Sequence, residues 1–148
     1  MEFRDFSLLV RDTKVSGFVD GLARGELLAS KCASCGAIEY PPRSDCPRCY
    51  GTEFQWTPIR GAGRLVSFTS VFVTPAHFTP DLCETAPYST YAYNPAPVGI
   101  VELEGGLRVT GWILGAKLES LKVGMRFVPR PEILPDGRAT VVLQKAEG

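Results

Sequence analysis

The sequence predicts a mainly β fold in which a short N-terminal helix and a metal-binding ribbon precede a five-stranded barrel of the OB type. Three observations carry that expectation. Cysteines pair as Cys32-x2-Cys35 and Cys46-x2-Cys49 between two short strand-like stretches. From Gly61 onward the chain turns to alternating apolar runs punctuated by glycine, the pattern of half-buried strands. Gly 15 and Pro 12 in 148 residues mark many turns and short elements. The expected organisation is a helical segment over 1–25, a ribbon over 26–60 and the barrel over 61–148.

Each element follows from its local pattern. In SGFVDGLARG, from Ser16 to Gly25, Phe18, Val19, Leu22 and Ala23 recur at helical spacing, Ser16 is an N-cap candidate, and Arg24 and Gly25 suit a helix end. ELLASKC and TEFQWTPI read as strands flanking the cysteines. In RLVSFTSVFVTP, strict alternation places Val66, Phe68, Ser70 and Phe72 on one face and Leu65, Ser67, Thr69, Val71 and Val73 on the other. PVGIVELEGGLRVTGWIL reads as two strands joined at Glu104-Gly105-Gly106, a hairpin turn requiring positive φ. LESLKVGMRFVPRPEI gives a helical turn, a break at Gly124 and a strand, and RATVVLQK closes the barrel. Gly61-Ala62-Gly63 opens a strand rather than a helix, which argues for a bend or bulge and against a dinucleotide-phosphate loop.

Between the first two barrel strands lies Thr74 to Pro97, twenty-four residues with five prolines, His77, Phe78, Tyr88, Tyr91 and Tyr93, and no Lys or Arg. Such length marks a functional loop, and the aromatic content opposes simple disorder. The absence of Lys and Arg extends from Leu65 to Val101. A single-strand nucleic-acid groove needs aromatics interleaved with positive charge, so this stretch suits a protein interface or an apolar ligand wall instead. The balance of 16 Lys+Arg against 16 Asp+Glu likewise opposes general nucleic-acid affinity. No run of 18 apolar residues occurs and the first residues do not read as a secretory signal, so the expectation is a cytoplasmic protein without a membrane span.

In a reducing compartment, five cysteines read first as metal ligands or catalytic thiols. Two C-x2-C turns facing each other supply four thiolates to one ion while their backbone N–H groups point at the sulfurs. Cys32, Cys35, Cys46 and Cys49 therefore form a closed, structural set suited to zinc, with iron in an electron carrier as the other metal a tetrathiolate accepts. Gly36 after Cys35 suits the positive φ of such a turn, whereas Tyr50 stands after Cys49. Cys83 is unpaired, and although His77 is near in sequence no Cys/His signature surrounds them, so they are not read as a nucleophile and base. Near the ribbon, Arg24, Lys31, Arg43, Arg48, Arg60 and Arg64 outnumber Glu26, Glu39, Asp45 and Glu53. They suit either phosphate contacts or a solvated face offsetting the charge of a zinc tetrathiolate.

The helix, a ribbon of the form C-x2-C-G…PPR…C-P-x-C, the run G-x-G-x-L-x-S-F-T and the late L-K-V-G-M-R-F together resemble one family of acyl-CoA-associated proteins. Its members join a rubredoxin-like zinc ribbon to an OB-fold, and the resemblance runs from about Phe18 to about Val142. It implies a non-catalytic partner of a thiolase-superfamily enzyme, or of a dehydratase- or hydratase-like subunit. The chain then helps to assemble an acyl-CoA site, an aromatic acyl-CoA among the candidates, while the partner supplies the reactive groups. Carried over by position, Cys32, Cys35, Cys46 and Cys49 are the zinc ligands. Arg43, in PPR, with Arg48 and Lys31 beside it, is the candidate contact to CoA phosphate or partner. Phe78, Tyr88, Tyr91 and Tyr93 are candidates for the partner interface or acyl pocket, though the loop that holds them is longer than the family's pattern.

Overall fold

The structure, a computed structural model, describes residues 15–71, 96–133 and 139–147. It is mainly β, with one short helix, a ribbon and a closed five-stranded barrel. None of its helices among the described residues is long and apolar enough to cross a membrane.

Helix α1 (Ser16–Ala23) begins one residue earlier than its sequence signal suggests: Val15 occupies the N-cap and no side chain caps the helix, so Ser16 is the first helical residue. The C-terminal signal holds. Gly25 takes φ +81°, and the N–H groups of Gly25 and Glu26 return to the carbonyls of Leu22 and Gly21, a Schellman closure that only a residue at ease in the left-handed region makes cheaply. The buried face is narrower than the expected one. Val19 is 61% exposed. Leu22 is buried and Phe18 packs on the core, as their spacing implies, while Ala23 is exposed, and Gly17 and Gly21, one turn apart, bring the helix against the ribbon. A Cβ on Gly17 would lie 3.0 Å from the Trp56 ring, and one on Gly21 2.6 Å from Leu28 Cδ1. Small size at these positions lets the helix sit closer than an apolar stripe of larger residues allows.

The ribbon sheet has the order β2-β1-β3, antiparallel throughout, from β1 (Leu28–Cys32), β2 (Ile38–Glu39) and β3 (Phe54–Pro58). The barrel follows from β4 (Gly63–Val71), β5 (Ala96–Glu102), β6 (Arg108–Leu114), β7 (Arg126–Ile133) and β8 (Ala139–Lys145). Its order is β4-β5-β6-β8-β7, with β6 and β8 parallel and the other pairs antiparallel. A 3-10 turn, Leu118–Ser120, stands between the third and fourth barrel strands, where a small helix is expected. The β5–β6 connection turns at Gly105 and Gly106, both at positive φ.

One bulge corrects the reading of β4. Leu65 pairs with Val101 and Ser67 with Ile100, so Val66 is an extra residue. That insertion flips the alternation, and Leu65, fully buried, and Phe68 both pack on the barrel core although they stand on opposite faces of an unbulged strand. The bulge lies three residues beyond the glycines that hinted at it. Gly63 serves close approach, since a Cβ there would lie 2.8 Å from the Glu102 carbonyl oxygen.

The core is continuous from helix to barrel. Leu22 and Leu27 join Leu65, Val101, Val109, Ile113, Phe127 and Leu143, with Leu121 entering from the end of the 3-10 turn. Gly99 and Gly111 face each other in the β5–β6 register and leave room for Leu65, Ile113 and Leu143. Phe127 is the largest fully buried side chain, and Phe127→Ala should cost about 3–5 kcal/mol. Val19→Ala, on the exposed helix face, should change stability by no more than about 0.5 kcal/mol. Chemical denaturation of both variants checks the packing and the corrected helix face together.

Candidate metal centre

The two C-x2-C turns face each other across the end of the ribbon. In the first, the N–H of Gly36 returns to the carbonyl of Cys32 and the N–H of Cys32 to that of Ala37. In the second, the N–H of Tyr50 returns to Cys46 and that of Cys46 to Gly51. The turns repeat each other's pattern, and both place the residue after the second cysteine at positive φ: Gly36 at +74°, Tyr50 at +60°. For a bulky side chain that conformation is strained. Tyr50 is also 83% exposed, so no packing of its own explains it.

All four sulfurs lie within 4.8 Å of one another, with Cys32 Sγ 3.6 Å from Cys49 Sγ and Cys35 Sγ 3.6 Å from Cys46 Sγ. A tetrahedral ion with metal–sulfur bonds of about 2.3 Å sets sulfur–sulfur edges of about 3.8 Å, so the four residues fit one such ion. Every coordination position is then filled by protein, which leaves none for a substrate or an activated water. Cys32 and Cys46 are buried, Cys35 and Cys49 exposed.

Backbone dipoles reinforce the fit. The N–H groups of Cys35 and Ser34 point at Cys32 Sγ and draw its thiol down to about 6, with burial opposing. Those of Cys49 and Arg48 lower Cys46 in the same way. At Cys49 the Gly51 N–H also lowers, but the neighbouring thiols of Cys32, Cys35 and Cys46, together with burial, prevail and push it up to about 12. Crowded thiols thus resist collective ionisation, and a dication among them removes that resistance.

The basic candidates do not converge. Lys31 is exposed on β1. Arg43 is exposed, donates its backbone N–H to Ser30 Oγ at 2.9 Å, and borders a void of about 10 Å³, room for a single water at most. Arg48 pairs with Glu39 at 3.7 Å and lines a cavity of about 570 Å³ where β2 faces the β5–β6 turn. Arg108, on the far wall of that cavity, was not singled out by the sequence, because residues near 38 and near 106 meet only through tertiary packing. Phe78, Tyr88, Tyr91 and Tyr93, like Cys83 and His77, lie outside the described residues.

The strain at Tyr50 is testable. Tyr50→Gly should stabilise the metal-loaded chain by about 0.5 kcal/mol, the relieved left-handed strain exceeding the extra flexibility of the unfolded chain. Gly36→Ala, at the matching position, should destabilise by about 1 kcal/mol. Denaturation midpoints of the two variants read the difference.

Comparison with known proteins places this architecture. Residues 19–55 match the family described as "ChsH2, rubredoxin-like zinc ribbon domain", and residues 56–130 match "ChsH2, C-terminal OB-fold domain". A DUF35 domain-containing scaffold protein of Methanocaldococcus jannaschii is 34% identical over 101 residues, 68% of this chain and 63% of that protein. The benzoylsuccinyl-CoA thiolase subunit BbsA of Thauera aromatica is 31% identical over 86 residues, 58% of this chain and 50% of the subunit. The chain therefore matches less than two thirds of the length of either relative. Among solved structures, an Ltp2–ChsH2(DUF35) aldolase chain superposes with a TM-score of 0.73 at 20% identity, over 93% of this chain and 98% of that one, which shows the shared fold. With both halves matched in order, ribbon then barrel, the chain belongs to the DUF35 family of ChsH2-type zinc-ribbon and OB-fold proteins.

Proposed function

We propose that this chain is a non-catalytic subunit of a thiolase-type acyl-CoA complex, in which its ribbon holds one zinc ion through Cys32, Cys35, Cys46 and Cys49. The observation that carries the reading is the closed sulfur set on a ribbon that shares its core with the barrel. Such a metal centre stabilises a surface and takes no part in acyl transfer. The likeness to a thiolase subunit and to scaffold proteins supports a partner that supplies the reactive groups. Within this reading the anionic end of coenzyme A meets the basic side chains of the ribbon. Arg48 is the favoured contact, because it lines the cavity of about 570 Å³ together with Arg108, and Lys31 and Arg43 precede it in sequence. Phe78, Tyr88, Tyr91 and Tyr93 face the partner enzyme or line the acyl pocket, and an aromatic acyl group, as in the substrate named for the Thauera subunit, is the class we assign.

The zinc assignment predicts one ion per chain in freshly prepared, reduced protein, by elemental analysis of a colourless sample. Replacing any one of the four cysteines by Ser should release the metal, while Cys83→Ser keeps it. A red, iron-loaded sample or a metal-free one overturns it.

Co-expression with thiolase-superfamily products of neighbouring reading frames, followed by affinity capture and acyl-CoA assay, tests the function. The isolated chain should show no thiolysis and the complex should turn over. Tyr91→Ser with Tyr93→Ser should weaken assembly while leaving the melting of the lone chain nearly unchanged. Robust turnover by the chain alone, abolished by Cys83→Ala, would refute the subunit reading.

A further inference from the structure

The two sulfur contacts of 3.6 Å in the metal centre each join one turn to the other, and each joins an exposed cysteine to a buried one. Cys49, exposed, lies 3.6 Å from Cys32, buried, and Cys35, exposed, lies 3.6 Å from Cys46, buried. We propose that the four cysteines are a reversible oxidation site for hydroperoxides, at which the zinc ion is exchanged for two disulfides, Cys32–Cys49 and Cys35–Cys46, that cross between the turns. The inference rests on the zinc reading above.

Exposure decides where oxidation starts. The thiolate sulfur of Cys49 or Cys35 attacks one peroxide oxygen, the O–O bond breaks, and the other oxygen leaves as hydroxide and takes up a proton. The resulting sulfenic acid faces its buried neighbour. That thiolate attacks the oxidised sulfur, the S–O bond breaks, the oxygen leaves as a second water, and an S–S bond forms. Two electrons pass from each thiolate pair to each peroxide, and about two peroxides account for four thiolates. Neutral disulfide sulfurs no longer hold the ion.

Pairing across the turns matters for what remains. The two links bridge positions 17 and 11 residues apart. They clamp the same two turns that the ion clamps, so the ribbon keeps its shape without metal. Links within each C-x2-C turn leave the turns unconnected, and the ribbon then opens.

The experiment uses the full chain carrying Cys83→Ser, zinc-loaded and titrated with hydrogen peroxide. A chromogenic chelator reads zinc release, peptide mapping without reduction reads the links, and circular dichroism reads the fold. The expected result is one zinc released for about two peroxides. Cys32–Cys49 and Cys35–Cys46 peptides should appear, the β signature should persist, and dithiothreitol with zinc should restore the starting state. Cys32–Cys35 and Cys46–Cys49 links, links between chains, or sulfonic acids without disulfide overturn the proposal while leaving the zinc reading intact. So does zinc held until the fold is lost. A chain that carries no zinc at the outset overturns both.

Discussion

Four reduced cysteine sulfurs within 4.8 Å of one another call for a cation among them, and the ribbon has little else to hold it. Its turn residues are largely exposed, and the ribbon's buried positions are confined to β1 with Leu27 and to Cys46. An apolar core of that size does not offset the entropy of ordering two loops. An ion held there would link residues 32–35 to residues 46–49 and so fix the hairpin that places β2 beside β1. From that placement follow the seat of Tyr40 against Phe18, rings 6.0 Å apart and edge to face, and the wall that β2 presents to the barrel.

The barrel is stabilised by the opposite means, dense apolar packing, and α1 is where the two regimes meet. Leu22 and Leu27 enter the barrel core while Gly17 and Gly21 admit Trp56 and Leu28 of the ribbon. The chain leaves the helix through the Schellman closure at Gly25, and the Leu27 carbonyl then accepts from the N–H of Ile59, where the ribbon hands over to the barrel. Each contact is small. Together they tie the metal-held part to the packed part, so a change in one is felt by the other.

Local features of the sequence survive folding almost unchanged. The cysteine pairs, the glycine after Cys35, the turn at Gly105-Gly106 and the break at Gly124 each depend on a few adjacent residues, and the structure places them as the pattern implies. Features that depend on a distant partner do not read out. Val19 satisfies the helical period but is exposed among the described residues, whereas Gly17 and Gly21 carry no hydrophobic signal and form a close contact with the ribbon. The extra residue in β4 is invisible to a two-residue period, because Val66 is itself apolar and suits either face. The cavity between β2 and the β5–β6 turn is assembled from segments more than fifty residues apart.

The charges around that cavity bear on how its role separates from stability. Arg48 reaches Glu39 at 3.7 Å, and Arg108 and Arg64 share Glu102 at 2.9 and 3.7 Å. All three arginines are mostly exposed, and ion pairs of that kind contribute at most about 1 kcal/mol to folding. The fold therefore does not depend on these arginines, which leaves it to the apolar core and the cysteine cluster. An anionic ligand drawn to Arg48 and Arg108 competes with Glu39 and Glu102 and meets Glu104 on the same wall, so the ribbon and barrel can engage such a ligand without loosening what keeps them together.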